Sequence, residues 1–168
     1  MKELSNIHFI PVVSWDGNCS ELLQQEAARA LEEGRVLFFP NLAFEIRTRE
    51  KQFLNPAIVS GSKNVVFNIV TGKLGGCLSA GAEAEQLATM LKRFAESART
   101  LLENLLAAYR NKLVLGRTSL RPVEIAGRVT SWRKDDTRLH VDSFPSTPMQ
   151  GRRILRVFSN INPDGRPR

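Results

Sequence analysis

The sequence predicts an α+β protein in which a mainly helical scaffold with short strands, residues 1–115, precedes the first strands of a β-domain, residues 116–168. In the first part, two segments repeat their apolar residues with the 3.6-residue period of a helix. The second part is poor in Ala and Leu and rich in Thr, Val, Ser, Arg and Trp, a composition typical of strands and turns. Because 168 residues suit one domain with a hydrophobic core, we expect both parts to form one structural unit.

Caps and prolines divide the first part into short elements. The segment "CSELLQQEAARALEEG" predicts a helix with Ser20 as its N-cap and Gly34 as its C-terminal stop. A buried strand, "RVLFFP", should follow and end at Pro40. A shorter helix, "FEIRTREKQFLN", should stop before Pro56, because the residue before a proline disfavours helical geometry. The run "KNVVFNIVTGKLGG" predicts a hairpin around a Thr-Gly turn.

One long amphipathic helix is predicted from about Ala82 to Lys112. Its apolar residues follow the helical period and should face the core: Leu87, Met90, Leu91, Phe94, Ala98, Leu101, Leu102, Leu105 and Leu106. After Gly116 we expect strands separated by turns, and "RRILRVFSNIN" should form a further strand whose side chains alternate between two faces.

Composition argues against several classes of protein. The longest apolar runs, such as "VLFFP", are far shorter than the roughly 20 residues that cross a bilayer, and the first residues do not read as a secretory signal. Cys19 and Cys77 lack CxxC spacing, so we expect two reduced thiols rather than a zinc site or a redox pair. These features favour a cytoplasmic protein.

The net charge of +7 is unevenly distributed. Residues 1–109 contain 11 Lys and Arg against 12 Asp and Glu, whereas residues 110–168 contain 13 against 5, and 11 of these 13 cations are arginine. The planar guanidinium group suits carboxylates and phosphates better than the lysine ammonium does. The excess of arginine in residues 110–168 therefore predicts contact with an anionic small molecule, a lipid or a nucleic acid. The alternative is a basic face that contacts only solvent.

The segment "RLHVDSFPS" places His140 and Asp142 two residues apart. On a strand, two such residues point to the same side, so an imidazole and a carboxylate could bind one cation. With a second imidazole they would form the facial triad of non-haem iron(II) oxygenases, which leaves open positions for cosubstrate and oxygen. The tripeptide alone is a weak signal, because His140 could equally bond a loop and Asp142 could belong to a turn.

The surrounding residues carry a more specific signal. "SWRKDDTRLHVDSFPS" and "GRRILRVFSNINP", with "GRVLFFPNLAF" and "KNVVFNIVTGKLGG" upstream, resemble the corresponding segments of Kdo hydroxylases, so the resemblance covers most of the chain. Members of that family are iron(II)- and 2-oxoglutarate-dependent dioxygenases that hydroxylate carbon 3 of the 3-deoxy-octulosonic acid (Kdo) sugar of lipopolysaccharide. The resemblance implies a double-stranded β-helix (jelly roll) core, with Fe(II), 2-oxoglutarate as cosubstrate and ascorbate as an optional reductant.

The resemblance also implies roles for individual residues. The two iron ligands would be His140 and Asp142. The family's anion-binding positions, which would bind the carboxylate of 2-oxoglutarate, are matched by Arg121, Arg156 and Arg168. The residues that could face the carboxylate of the sugar or the phosphates of a lipid are Arg152 and Arg153.

Two expected parts of such an enzyme have no match in the sequence. The triad needs a second histidine from a strand far downstream, but the only other histidine is His8, in a segment that does not resemble that strand. A jelly roll needs about eight strands, and far fewer are predicted after Gly116. We therefore expect an incomplete jelly roll, the front part of a longer protein, which binds iron poorly and is inactive alone; a degenerate relative is the alternative.

The resulting hypothesis is a Kdo 3-hydroxylase that acts on Kdo-lipid A or a related anionic glycolipid. Because Kdo is attached to lipid A at the cytoplasmic face of the inner membrane, we expect a cytoplasmic protein that could associate peripherally with that membrane. The alternative is a basic nucleic-acid- or anion-binding module without catalysis. The sequence has no RNP-like aromatic motif and no Cys/His finger, so nucleic acid is not the expected partner.

Overall fold

The structure, a computed structural model, describes residues 6–61, 64–122 and 148–165. Within these residues it contains both helices and strands, as an α+β protein should. The strands there are β1 (Ile7–Phe9), β2 (Val36–Phe38), β3 (Val65–Asn68), β4 (Leu74–Gly75) and β5 (Arg117–Leu120). The α-helices are α1 (Glu21–Glu32) and α2 (Gly81–Leu105), and the 3₁₀-helices are Thr48–Leu54, Pro56–Ile58 and Ala107–Tyr109. No helix in the described ranges is long and apolar enough to cross a membrane.

Helix α1 connects two parallel strands. Ser20 caps the helix as predicted, since its Oγ accepts a hydrogen bond from the Leu23 N–H at 3.3 Å. Gly34, with a φ of +79°, turns the chain after the last helical residue. β1 then pairs with β2 so that His8 lies opposite Leu37. Parallel neighbours require a crossover connection, and α1 supplies it.

The prediction that β2 is buried is wrong. Val36 is 61% and Phe38 47% exposed, and the Phe38 ring packs edge-to-face on that of Phe9 with 5.4 Å between centroids. Alternate side chains of a strand point to opposite faces of the sheet. Leu37 therefore packs against the core on the α1 side, while Val36 and Phe38 lie on the open side. The apolar run predicted a strand correctly, but it did not reveal that only one face is covered.

The predicted hairpin is formed by β3 and β4. Asn68 opens its turn, because its Oδ1 accepts hydrogen bonds from the N–H groups of Val70 and Thr71 at 3.0 and 3.1 Å. β5 pairs antiparallel with the other edge of β3, with Leu120 opposite Val65, which gives the order β4-β3-β5. This sheet joins the beginning of the predicted β-domain to the predicted scaffold, and the jelly roll itself stays a prediction.

Helix α2 contributes to both hydrophobic clusters of the described residues. Most of its predicted apolar stripe is buried: Leu87, Met90, Leu91, Ala98, Leu101 and Leu105 within the helix, and Leu106 just after it. Phe94 and Leu102 are only partly buried, and Ala95, which was not predicted, is buried. One cluster joins the N-terminal half of α2 to the sheet and comprises Phe44, Phe53, Val65, Phe67, Leu87, Met90, Leu91 and Leu120. The second joins its C-terminal half to α1 and the segment after β1, and comprises Ile10, Val12, Ala27, Leu101, Leu105 and Leu106.

Helix α2 ends at Leu105 rather than near Lys112. The backbone leaves helical geometry at Leu106, whose side chain is fully buried, and a short 3₁₀-helix follows. Asn111 then adopts a left-handed conformation with φ 61°. Burial of Leu106 therefore bends the chain toward the second cluster before the helical period of the sequence runs out.

The segment "RRILRVFSNIN" was predicted as a strand, and this prediction is wrong for the structure described. Residues 152–162 have no strand assignment, although they follow a turn closed by a hydrogen bond from the Arg152 N–H to the Met149 carbonyl at 2.9 Å. Phe158 is 82% exposed, whereas Ile161 packs against the first cluster. Alternating side chains make a strand only where another backbone pairs with them, and no described strand lies beside this segment.

Glu50 is a buried carboxylate in the 3₁₀-helix Thr48–Leu54, and Arg93 of α2 pairs with it. The Arg93 Nη2 donates to Glu50 Oε2 at 2.5 Å, and the Arg47 N–H donates to the same oxygen at 2.8 Å. The guanidinium also lies 4.4 Å from the centroid of the Phe44 ring. This pair joins the loop before β3 to the centre of α2.

Replacing Glu50 by Gln should lower the free energy of unfolding by about 1–3 kcal/mol, because Arg93 would lose its charged partner while remaining largely buried. Glu96→Gln is the matched control on α2, since its pair with Lys92 is exposed and should contribute less than about 0.5 kcal/mol. Urea denaturation of both variants measures the difference. Equal losses of stability would contradict a special role for Glu50.

Candidate functional site

The predicted iron ligands His140 and Asp142 lie outside the described residues, as does Arg168. Among the residues that the structure does describe, no three His, Cys, Asp or Glu side chains are close enough to hold a metal ion. The donor chemistry of His140 and Asp142, one imidazole nitrogen and one carboxylate, fits a non-haem iron site. They remain the candidate ligands, and the described structure defines how the chain is held on either side of them.

On the N-terminal side of this pair, Arg121 follows the last residue of β5. Leu120 is buried opposite Val65, which fixes the end of the strand against the sheet. The Arg121 Nε donates a hydrogen bond to Oδ1 of Asn64 at 2.8 Å, and the guanidinium is half-buried. Sequence reasoning missed Asn64, and only the antiparallel register of β3 and β5 reveals that it lies beside Arg121.

On the C-terminal side, Arg153 binds the last residue of α1. Its Nη1 and Nη2 donate to Oε2 and Oε1 of Glu32 at 2.7 and 3.0 Å, a two-point contact between guanidinium and carboxylate. The Tyr109 hydroxyl also donates to Glu32 Oε1. We call Glu32, Tyr109 and Arg153 the Glu32 cluster. No spacing signal could have predicted it, because Glu32 and Arg153 are 121 residues apart in sequence.

Each member of the Glu32 cluster shifts the pKa of the others. The hydrogen bonds from Arg153, and then from Tyr109, lower the pKa of the Glu32 carboxyl. The hydrogen bond to Glu32 raises the pKa of Tyr109, and the same carboxylate raises the pKa of Arg153. Glu32 therefore keeps its negative charge to a lower pH than an isolated glutamate, and the contact weakens only as pH falls through that lowered pKa.

The other predicted residues occupy separate places. Arg152 and Arg156 are exposed in the segment that follows the turn at Met149. His8 lies in β1 and lines a polar cleft of about 290 Å³ with side chains of α1 and with Arg35. The structure thus places Arg121 at the three-stranded sheet and Arg153 at α1, so these two arginines contact different parts of the scaffold.

The thiols of Cys19 and Cys77 are unpaired, as predicted. Cys19 packs against the second hydrophobic cluster and Cys77 against the first. Partial burial raises the pKa of Cys19, so this thiol is a weaker nucleophile at neutral pH than an exposed cysteine.

Comparison with known proteins relates the chain to one family. The family described as 3-deoxy-D-manno-oct-2-ulosonic acid (Kdo) hydroxylase matches residues 14–168. None of the curated proteins matches the chain. Among solved structures, the Kdo hydroxylase KdoO, a non-heme Fe(II) α-ketoglutarate-dependent dioxygenase, is similar in its complex with α-ketoglutarate and Fe(III), at 46% identity and a TM-score of 0.89. That match covers 94% of this chain and 53% of the other.

A second KdoO structure, in complex with cobalt(II), is 47% identical with a TM-score of 0.90, and the match covers 95% of this chain and 54% of that one. The apo structure of KdoO gives 47% identity and a TM-score of 0.90, over 94% and 53% of the two chains. The chain therefore spans about half the length of the structures it matches.

The Glu32 cluster predicts opposite changes in the pKa of Tyr109, the only tyrosine in the sequence. Glu32→Gln should lower this pKa toward the ordinary value, because the carboxylate that raises it is removed. Arg153→Gln should raise it further, since the positive charge of Arg153 lowers it. Absorbance titration of the phenolate, taken as the difference from Tyr109→Phe, measures both. Glu33→Gln is the control, and shifts of the same sign in the first two variants would refute the geometry.

Proposed function

The chain belongs to the Kdo hydroxylase family, and we propose that the protein is an iron(II)- and 2-oxoglutarate-dependent dioxygenase that hydroxylates a Kdo sugar. The observation that carries the proposal is the 46–47% identity to KdoO over 94–95% of this chain. One structure of KdoO contains α-ketoglutarate and Fe(III), and another contains succinate and Fe(III). In this type of reaction, α-ketoglutarate is the cosubstrate and succinate is the coproduct. The basic module proposed from charge alone is not favoured by these matches.

His140 and Asp142 are proposed to hold the iron through one nitrogen and one oxygen atom. Iron held there would supply the redox centre for a reaction in which dioxygen gives one oxygen atom to 2-oxoglutarate, which becomes succinate and carbon dioxide, and the other to a C–H bond of the sugar, which becomes C–OH. A two-residue spacing lets both side chains leave one face of an extended segment, so that they can approach the same ion. Within residues 6–61, 64–122 and 148–165, no three His, Cys, Asp or Glu side chains could hold a metal ion by themselves.

The arginines of the final third are proposed to bind the anionic groups of both substrates. A buried carboxylate needs a cation with matching donors, and the free carboxylate of 2-oxoglutarate would find them at Arg121, Arg156 or Arg168. We propose carbon 3 of Kdo as the site of hydroxylation and Kdo-lipid A as the substrate, with Arg152 near its carboxylate or phosphates. This substrate would place the protein in the cytoplasm, at or near the inner membrane, where the same basic residues would favour an anionic surface.

Incubation of the full-length protein with Kdo-lipid A, Fe(II), 2-oxoglutarate, ascorbate and dioxygen should add one oxygen atom to the lipid and release one succinate and one carbon dioxide per turnover. His140→Ala and Asp142→Ala should each reduce this activity by more than about 100-fold, since loss of even an outer-shell partner of a metal ligand costs about 10–100-fold. Mass spectrometry of the lipid and quantification of succinate follow the reaction.

His8→Ala is the control and should leave turnover unchanged, because the sequence around His8 does not resemble an iron-ligand strand and its side chain lines a cleft with side chains of α1. Full-length wild-type protein that releases no succinate and leaves the lipid mass unchanged would refute the proposal. Retention of full activity in both His140→Ala and Asp142→Ala would refute the assignment of the ligands.

A further inference from the structure

We propose that the Glu32 cluster positions the segment that carries Arg156, and that Arg153 serves as its anchor rather than as a contact to the sugar. This inference rests on the proposed function, because it assigns Arg156 to the carboxylate of 2-oxoglutarate. It adds two residues, Glu32 and Tyr109, that the sequence did not connect with the site.

Side chains, rather than strand pairing, attach this segment to the scaffold described here. The backbone hydrogen bond that Arg152 donates is local, to Met149, and no described strand lies alongside residues 152–162. Arg153 contacts Glu32 at the start of the segment, and Ile161 packs against the first hydrophobic cluster near its end. Arg156 therefore lies in sequence between the contact of Arg153 with Glu32 and the packing of Ile161.

The Glu32 cluster is suited to fixing an orientation. Glu32 ends α1, whose Ala27 and Ala30 are buried, so its backbone belongs to a packed helix. Tyr109 belongs to the 3₁₀-helix that follows α2, so two elements of the scaffold meet at one carboxylate. A two-point contact between guanidinium and carboxylate constrains direction as well as distance.

Because the contact between Arg153 and Glu32 is exposed, its effect on the position of the segment can be measured apart from any effect on the stability of the protein. The side chain of Arg153 is 77% exposed and that of Glu32 45%, and exposed ion pairs contribute little to the free energy of unfolding. A variant of Glu32 should therefore fold normally and still alter the site. The contact also neutralises Arg153 locally, so an anionic ligand there would have to compete with a carboxylate that already occupies both Nη groups.

Steady-state kinetics should separate the two roles of Arg153. Glu32→Gln and Arg153→Gln should each raise KM for 2-oxoglutarate by about 10-fold, because a small misplacement of a binding group costs up to about 100-fold. Because the inference gives Arg153 no contact with the sugar, KM for Kdo-lipid A should change by less than about twofold. The charge-exchanged double variant, Glu32→Arg with Arg153→Glu, should restore KM for 2-oxoglutarate to within about threefold of wild type, since the pair would re-form. Glu33→Gln is the matched control at the end of the same helix.

The inference would be overturned if Arg153→Gln raised KM for Kdo-lipid A while Glu32→Gln left both KM values unchanged, because Arg153 would then contact the glycolipid directly. Failure of the double variant to recover KM for 2-oxoglutarate would overturn it as well.

Limited trypsin digestion tests the anchoring without catalysis. Cleavage after Arg156, followed by mass spectrometry, should be at least about threefold faster in Glu32→Gln than in wild type, because the segment opens more often. If the wild-type protein shows no hydroxylation but Glu32→Gln is still cleaved faster, the anchoring role of Arg153 is supported and the proposed function is refuted. If cleavage is equally slow in wild type, Glu32→Gln and the Glu33→Gln control, the anchor is refuted whatever the activity.

Discussion

Burial of the apolar stripe of α2 is the constraint on which the described structure depends. The N-terminal half of this helix covers the sheet β4-β3-β5, and its C-terminal half covers α1 and the residues after β1. Each large side chain buried there contributes about 1.5–3 kcal/mol. Because α2 contributes to both clusters, the sheet that ends with β5 and the helix that carries Glu32 are held in one packed structure.

The sequence predicted those elements whose signals are local. Ser20 and Gly34 bound α1 because capping groups and left-handed glycines act within one turn. The apolar period of α2 was confirmed because packing on one side selects one stripe. Burial of β2 was predicted wrongly, since an apolar run does not show how many faces a neighbour covers. Residues 152–162, predicted as a strand, pair with no strand of the described residues, and alternation of side chains does not show whether a partner is present.

The residues of the candidate site also divide into those that local sequence signals predict and those that only the tertiary structure reveals. Residue types alone suggested His140 and Asp142 as ligands, because imidazole and carboxylate at this spacing suit one cation. The sequence could not predict the roles of Asn64, Glu32 and Tyr109, because the contacts of Asn64 with Arg121, of Glu32 with Arg153 and of Tyr109 with Glu32 depend on tertiary structure. A glutamate at the end of a helix looks like an ordinary solvated residue until a guanidinium from a distant segment meets it.

The excess of arginine in the final third therefore has more than one physical use. An arginine that faces a ligand must keep donors available for an incoming anion, whereas one that pairs with a scaffold carboxylate has its donors occupied and its charge balanced. Arg153 directs both Nη groups to Glu32, whereas Arg121 donates from its Nε to the neutral amide of Asn64. Pairing with an amide holds a guanidinium in place and preserves its attraction for a carboxylate. The contact with Glu32 therefore suits Arg153 to hold the segment that begins at residue 152, which follows the candidate ligands His140 and Asp142 in sequence.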